Sequence, residues 1–242
     1  MIFHRILPVL LTVSATVPAV AVPISLQNAT ATLSQTIGAS FLASSMINGN
    51  FGGGLGEGWA IFDGINAVAH TAVFETVLDF GSPGGSELTF TLSHLYTTAP
   101  NHTLGRFRLS VTTDPRSNFA DGLQSSGDVT ANWVVLTPTL ASATNGPTMT
   151  ILGDGSVLVS GTNPSTSVYT ITATTLLSAI TGVRLEAMED ASLPALGPGR
   201  VASNGNFVLT EFELSASDLL TPEPTSWALV ALGGLALWRR RV

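Results

Sequence analysis

The chain has 242 residues, enough for one sizeable domain or two small ones, and only 10% of them are charged while 45% are hydrophobic. It contains neither lysine nor cysteine, so disulfides and thiolate metal sites are excluded. Between Val22 and Pro222, five arginines stand against fifteen aspartates and glutamates; a body of about −10 charge without a basic stripe excludes nucleic acid as a partner, because phosphates demand Lys or Arg neutralisation.

The mean hydropathy of +0.40 would suit a membrane protein, yet no run of eighteen or more apolar residues occurs. Residues 1–21 have the three parts of a secretory signal peptide. His4 and Arg5 give a short positive start, Ile6 to Ala15 an apolar helical stretch, and Ala19-Val20-Ala21 the small-x-small pattern that places cleavage after Ala21. Pro8 and Pro18 suit neither a buried helix nor a buried strand. These features predict export through a secretion translocon.

From Ile24 to Ala216 the chain reads as strands separated by Gly, Pro, Asn and Ser. The segment Thr71–Phe80 comes first. In SELTFTL (Ser86–Leu92), Leu88, Phe90 and Leu92 share one face; in GRFRLSVT (Gly105–Thr112), Phe107, Leu109 and Val111 point inward and Arg106, Arg108 and Ser110 outward. Period-two alternation marks half-buried antiparallel strands. Trp133–Leu136, Thr148–Leu152, Ser167–Thr174, Gly182–Ala187 and Phe207–Ser215 follow, rich in the Thr and Val that pack well on a pleated surface. Ser82-Pro83-Gly84-Gly85, Asp154-Gly155 and Asn204-Gly205 supply turns, and Thr175–Ile180 is the one candidate for a short helical turn. The expected fold is all-β: an antiparallel β-sandwich or jelly roll over residues 22–217, either one jelly roll or two small blocks at about 24–113 and 130–217. The Gly-rich stretch Gly52–Gly58 lacks the spacing of a phosphate cradle and reads as a flexible loop.

Two groups of motifs in this body carry a resemblance. Gly58–Ile61 (GWAI), His70–Glu75 (HTAVFE) and His102–Thr112 form one; Arg184–Glu186 (RLE), Gly197–Arg200 (GPGR) and Asn204–Glu211 (NGNFVLTE) form the other. Together they resemble the discoidin-like, galactose-binding-like β-sandwich modules of large surface or secreted proteins in planctomycete-type bacteria. The resemblance implies a binding or structural module, often with carbohydrate as ligand. It also brings in calcium as a structural ion, with Asp63 and Asp79 as the ligands to test.

Chemistry is otherwise sparse. His70, His94 and His102 lack metal-motif context and read as structural. Asp154-Gly155-Ser156 lacks the alternating carboxylates of a calcium loop. Glu211 and Glu213 share one face of a strand, and Glu189-Asp190 lie near a loop; both pairs read as solvated acids, so no catalytic residue and no enzymatic activity is expected. For sugar stacking, Tyr96 in a loop with Asn101 is the better exposed candidate, whereas Trp59 and Trp133 lie in strand-like patterns that favour core packing.

The last residues, 218–242, hold Pro222-Glu223-Pro224, a largely apolar run over 225–238, and Arg239-Arg240-Arg241. As a helix the run spans roughly 21 Å, short of the ~30 Å hydrocarbon core. Trp227 and Trp238 bracket it, and the arginines hold its end in the cytoplasm, leaving the acidic body outside. This tripartite tail resembles the PEP-CTERM sorting signal of Gram-negative bacteria. That resemblance implies recognition by an exosortase-type membrane protease, transient residence in the inner membrane, and delivery to the cell surface or exopolysaccharide matrix, with roles in biofilm. The sequence thus points to an exported, non-catalytic surface protein that binds carbohydrate. A self-associating structural protein is the nearer alternative and a glycan hydrolase the distant one.

Overall fold

Alternating apolar side chains make a strand useful only when a second layer covers its apolar face, and here two antiparallel sheets cover each other. The computed structural model describes residues 20–219; the signal peptide up to Ala19 and the tail from Leu220, with Pro222, Glu223, Pro224, Arg239, Arg240 and Arg241, lie outside the described residues. The strands are β1 (Val22–Ile24), β2 (Leu26–Ala31), β3 (His70–Phe80), β4 (Ser86–His94), β5 (Arg106–Thr112), β6 (Val134–Val135), β7 (Pro138–Ala143), β8 (Pro147–Ile151), β9 (Val157–Gly161), β10 (Ser167–Thr175), β11 (Ile180–Ala187) and β12 (Glu211–Asp218).

Sheet A has the order β1-β12-β4-β10-β7 and sheet B the order β2-β3-β11-β5-β9-β8, with β6 paired to β5. Strands from 24–113 and from 130–217 are intermixed in both sheets, so the two blocks do not form separate sandwiches, and Ala21–Leu219 forms one compact unit. Aromatic rings join the layers: Phe74 stacks on Phe212 at 5.1 Å and Phe107 is parallel to Tyr169, while within sheet A Phe90 lies 6.0 Å from Phe212. Trp59 is fully buried against Phe207, its indole N–H donating to the Leu33 carbonyl.

The sequence pattern places most strands within two residues of their observed bounds, with three differences. Phe207–Thr210 is not part of the last strand, which begins at Glu211; instead Leu209 forms an isolated bridge with Trp59. The two backbones approach so closely there that a Cβ on Gly58 would sit 2.3 Å from the Leu209 carbonyl oxygen, and φ of +89° at Gly58 also requires glycine. Residues 176–179 form no helical turn, because Ile180 pairs with Phe80. Strands β1, β2 and β7 were not foreseen and β9 was given no bounds: β1 has only three residues, β2 breaks its alternation with a bulge between Gln27 and Thr30, and β7 opens with a proline.

The register sets the polarity of the sandwich. Val22, Phe80, Ser86, Thr112, Ile180 and Asp218 lie at one end; His70, His94, Arg106, Ser167, Ala187 and Glu211 lie at the other. Both chain exits, Val22 and Asp218, are therefore at the end opposite the connections 32–69, 95–105 and 188–210, while the connection 113–133 leaves β5 at the exits' own end. Cleavage after Ala21 would free the first residue of β1.

Candidate functional site

The outward side chains of β5 and β11 gather three of the five arginines of the body. Arg108 grips Glu186 through Nε and Nη2 at 2.8 and 3.0 Å, and Arg184 reaches Oε2 of the same carboxylate at 3.0 Å. Arg106 bridges Asp154 at 2.8 Å and Asp190 at 3.3 Å. The guanidinium of Arg184 also lies 5.3 Å from the ring centre of Trp133, a cation–π contact on a half-buried indole. The pairing β3–β11–β5 dictates this row, since Glu186 stands opposite Thr71 on one side and Arg108 on the other.

At the loop end of the row lies a cleft of about 490 Å³ lined by Thr32, His70, Thr71, Glu186, Met188 and Glu189 among others. The Thr71 N–H donates to Thr32 Oγ1, which stands 3.0 Å from His70 Nδ1. Burial pushes the His70 pKa down, against the opposing pull of Asp63 and Glu189, so the ring is neutral at neutral pH. The arrangement offers fixed acceptors and donors at spacings suited to hydroxyl groups. Both oxygens of Glu186 are engaged by the guanidinium groups of Arg108 and Arg184 in charge-assisted contacts.

The side chains singled out for sugar contact are placed elsewhere. Tyr96 is not exposed: it is 7% accessible, edge-on to Phe41 and to His102 in a small apolar cluster with Ala60 and Val208. The loop around it folds inward because the Thr97 N–H donates to the Gly53 carbonyl and pins it to the Gly-rich segment. Asn101, at φ +68°, trades amide contacts with Asn163 and so ties two loops together. Trp59 is core. The residues that do converge, His70, Arg108, Arg184 and Glu186, left one signal in the sequence, the outward alternation of Arg106 and Arg108.

Asp63 and Asp79 do not meet. Asp63 caps the Ile65 N–H, and Asp79 pairs with Arg116 at 2.7 Å. No group of three or more His, Asp or Glu side chains able to hold a metal occurs among the described residues. One carboxylate is nonetheless incompletely satisfied. Glu211 is 3% accessible; one oxygen accepts the Gly49 N–H at 3.2 Å, while Oε2 has no partner. It lines a groove of about 340 Å³ with Ile47, Asn48, Gly49 and Glu213. Glu213, on the same strand face, stays exposed.

Comparison with known proteins adds a sorting address to this sandwich. Residues 220–241 match the family described as "PEP-CTERM protein-sorting motif". The chain therefore carries at its C-terminus a signal for export and membrane-linked sorting. No curated protein matches the chain. Among solved structures it is similar to one of the β-galactosidase BgaA of Streptococcus pneumoniae, at 12% identity and TM-score 0.46 over 83% of this chain and 92% of that one. It is similar also to CBM32-3 from a family 31 glycoside hydrolase of Clostridium perfringens, at 9% identity and TM-score 0.40 over 78% and 94%. The fold assignment rests on the strand pairings themselves.

Proposed function

We propose that this protein is an exported, non-catalytic component of the cell surface or exopolysaccharide matrix of a Gram-negative bacterium, processed by an exosortase-type protease, and that its sandwich binds polysaccharide. The observation that carries the reading is the sorting motif attached directly after β12, at the end where Val22 also lies. Anchored or released from that end, the body has the connections 32–69, 95–105 and 188–210 and the His70–Glu186 cleft at its opposite end. The Thr32 hydroxyl, the His70 ring and the Glu186 and Glu189 carboxylates that line that cleft match the donors and acceptors of sugar hydroxyls.

The full chain, assayed by retention on immobilised acidic and neutral polysaccharides, is expected to bind at least one class. His70→Ala should weaken that binding about tenfold, equal to ~1.4 kcal/mol for one lost hydrogen bond. Absence of binding to every polysaccharide would remove the carbohydrate reading and leave a structural surface protein. Mass spectrometry of the protein from its own host should show a chain starting at Val22 and ending near Pro222–Pro224. A mature chain that retains Trp227 to Val242 would contradict proteolytic sorting and leave simple membrane anchoring by 225–238.

We further propose that the Glu211 groove, and not Asp63 and Asp79, takes a structural divalent cation such as calcium. Glu211 would supply its unpartnered oxygen and Glu213, on the same strand face and lining the same groove, a second carboxylate. The ion would sit where the 43–50 segment meets β12, a role in stability.

A further inference from the structure

A sandwich of two open sheets has two sides along which edge strands lie, and in this molecule only one is protected. On the first side β1 has just three residues, and β2 is bulged and covered by residues 122–127: Ala31 N–H donates to the Leu123 carbonyl, Gly127 N–H to the Ala31 carbonyl, and the Gln124 amide to the Ala29 carbonyl. Short length, bulges and loop cover are the usual means of blocking an edge. On the second side lie β7 and β8, the arms of the Asn145-Gly146 turn. β7 pairs only with β10 and β8 only with β9. No other backbone hydrogen bond reaches β7 or β8 among the described residues.

This side also lacks the charges that normally guard an edge. Between Asp128 and Arg184 the only charged residue is Asp154, in a body that elsewhere is strongly acidic. Val134, Val135, Leu140 and Ile151 are exposed along it, and Val135 sits against Gly155 in the β8–β9 turn. The outward residues of β8 are Thr148 and Thr150, while Met149 packs on the core. β7 carries an irregularity in its register with β10, which twists its free edge; β8 is regular against β9 throughout.

We infer that β8 is a self-association edge, pairing antiparallel with β8 of a second copy of this chain and continuing sheet B across a two-fold axis. A second copy is the occupant that the charges favour. Two such acidic bodies repel wherever carboxylates face each other, and this neutral side is where they approach without that cost. Antiparallel pairing of a strand with itself satisfies two-fold symmetry and sets threonines opposite neutral residues, a favourable cross-strand arrangement. Pro147 limits the paired stretch to Thr148–Ile151. The contact involves neither the cleft nor the end carrying the sorting tail, and it is independent of whether polysaccharide binds.

The test uses the full-length chain in mild detergent. Sedimentation should show a reversible monomer–dimer equilibrium, and T148K/T150K should raise its dissociation constant at least about tenfold by setting like charges opposite one another. Because the chain has no cysteine, single-cysteine variants report the contact directly. Under oxidation Thr148→Cys or Thr150→Cys should give a cross-linked dimer, whereas Thr174→Cys, exposed on sheet A, should not. A strictly monomeric wild type overturns the inference. So does a dimer that T148K/T150K leaves unchanged while neither β8 cysteine cross-links, as association through the tail alone would give.

Discussion

Replacing His94 by phenylalanine is expected to abolish most of the acid sensitivity of this fold. His94 closes β4 inside the core, its ring 4.5 Å from that of Tyr169. Neither ring nitrogen finds a partner in good geometry, and weak approaches to the Ser167 and Leu92 backbone do not offset the burial. Burial therefore drives the pKa from 6.5 down to about 3. The folded state keeps the ring neutral where the unfolded chain protonates it. The histidine's contribution is fully present above pH 6.5 and is lost as pH falls toward 3. At 1.36 kcal/mol per pH unit the loss amounts to ~4–5 kcal/mol, a large fraction of the 5–15 kcal/mol typical of a domain. The difference between wild type and His94→Phe in urea unfolding at stepped pH reads it. His94→Phe should keep or gain stability at pH 7, since it removes unsatisfied polar atoms while filling the space. An acid limb in the variant parallel to that of the wild type would disprove the assignment.

Glu211→Gln is expected to act with the opposite sign. Desolvation, aided by the charge of Glu213 and opposed by the Gly49 and Asn50 amides, lifts the Glu211 pKa from 4.5 to about 7 in the metal-free chain. A carboxyl group whose folded pKa is raised costs stability as pH climbs from 4.5 to 7, here at most about 3 kcal/mol. In chelator, then, the two groups cancel between pH 4.5 and 6.5 and the wild type should show a flat plateau. Each variant unmasks the other residue. His94→Phe should lose stability on going from pH 4.5 to 7, and Glu211→Gln should gain it from pH 3 to 6.5. Adding calcium above pH 7 should raise the melting temperature of the wild type and leave Glu211→Gln unmoved. Equal responses of both to calcium would place the ion elsewhere or nowhere.

The strands that the sequence made legible are those whose apolar alternation is unbroken, such as Leu88-Phe90-Leu92 and Phe107-Leu109-Val111. Where the alternation failed, a specific feature interfered. The Asn28 bulge hid β2; the small side chains of TLASA gave β7 little contrast; and Phe207 and Leu209 alternate like a strand yet fill space beside Trp59 from a loop. The candidate cleft was less legible, because its parts lie far apart in the chain. Nothing near His70 announces Glu186, and nothing near Glu186 announces that two arginines clamp it. Tyr96 was misjudged for the same reason: its polar neighbours suggest a wet loop, but contacts with Phe41 and His102 decide its burial.

By itself the sequence determined the features that are local along the chain. The sorting tail, the acidic charge, the absence of cysteine and the period-two faces of the main strands all depend on neighbours within a few residues. Only the tertiary structure decided the features that depend on pairing and cover. Glu211 and Glu213 share a strand face and a residue type, yet the 43–50 segment lies over the first and leaves the second in water. The edges β1–β2 and β7–β8 differ in strand length, in bulges and in whether another loop folds across them. The physical reason is that desolvation and hydrogen-bond satisfaction are set by whichever distant segment arrives, and register between strands, not order in the chain, selects that segment.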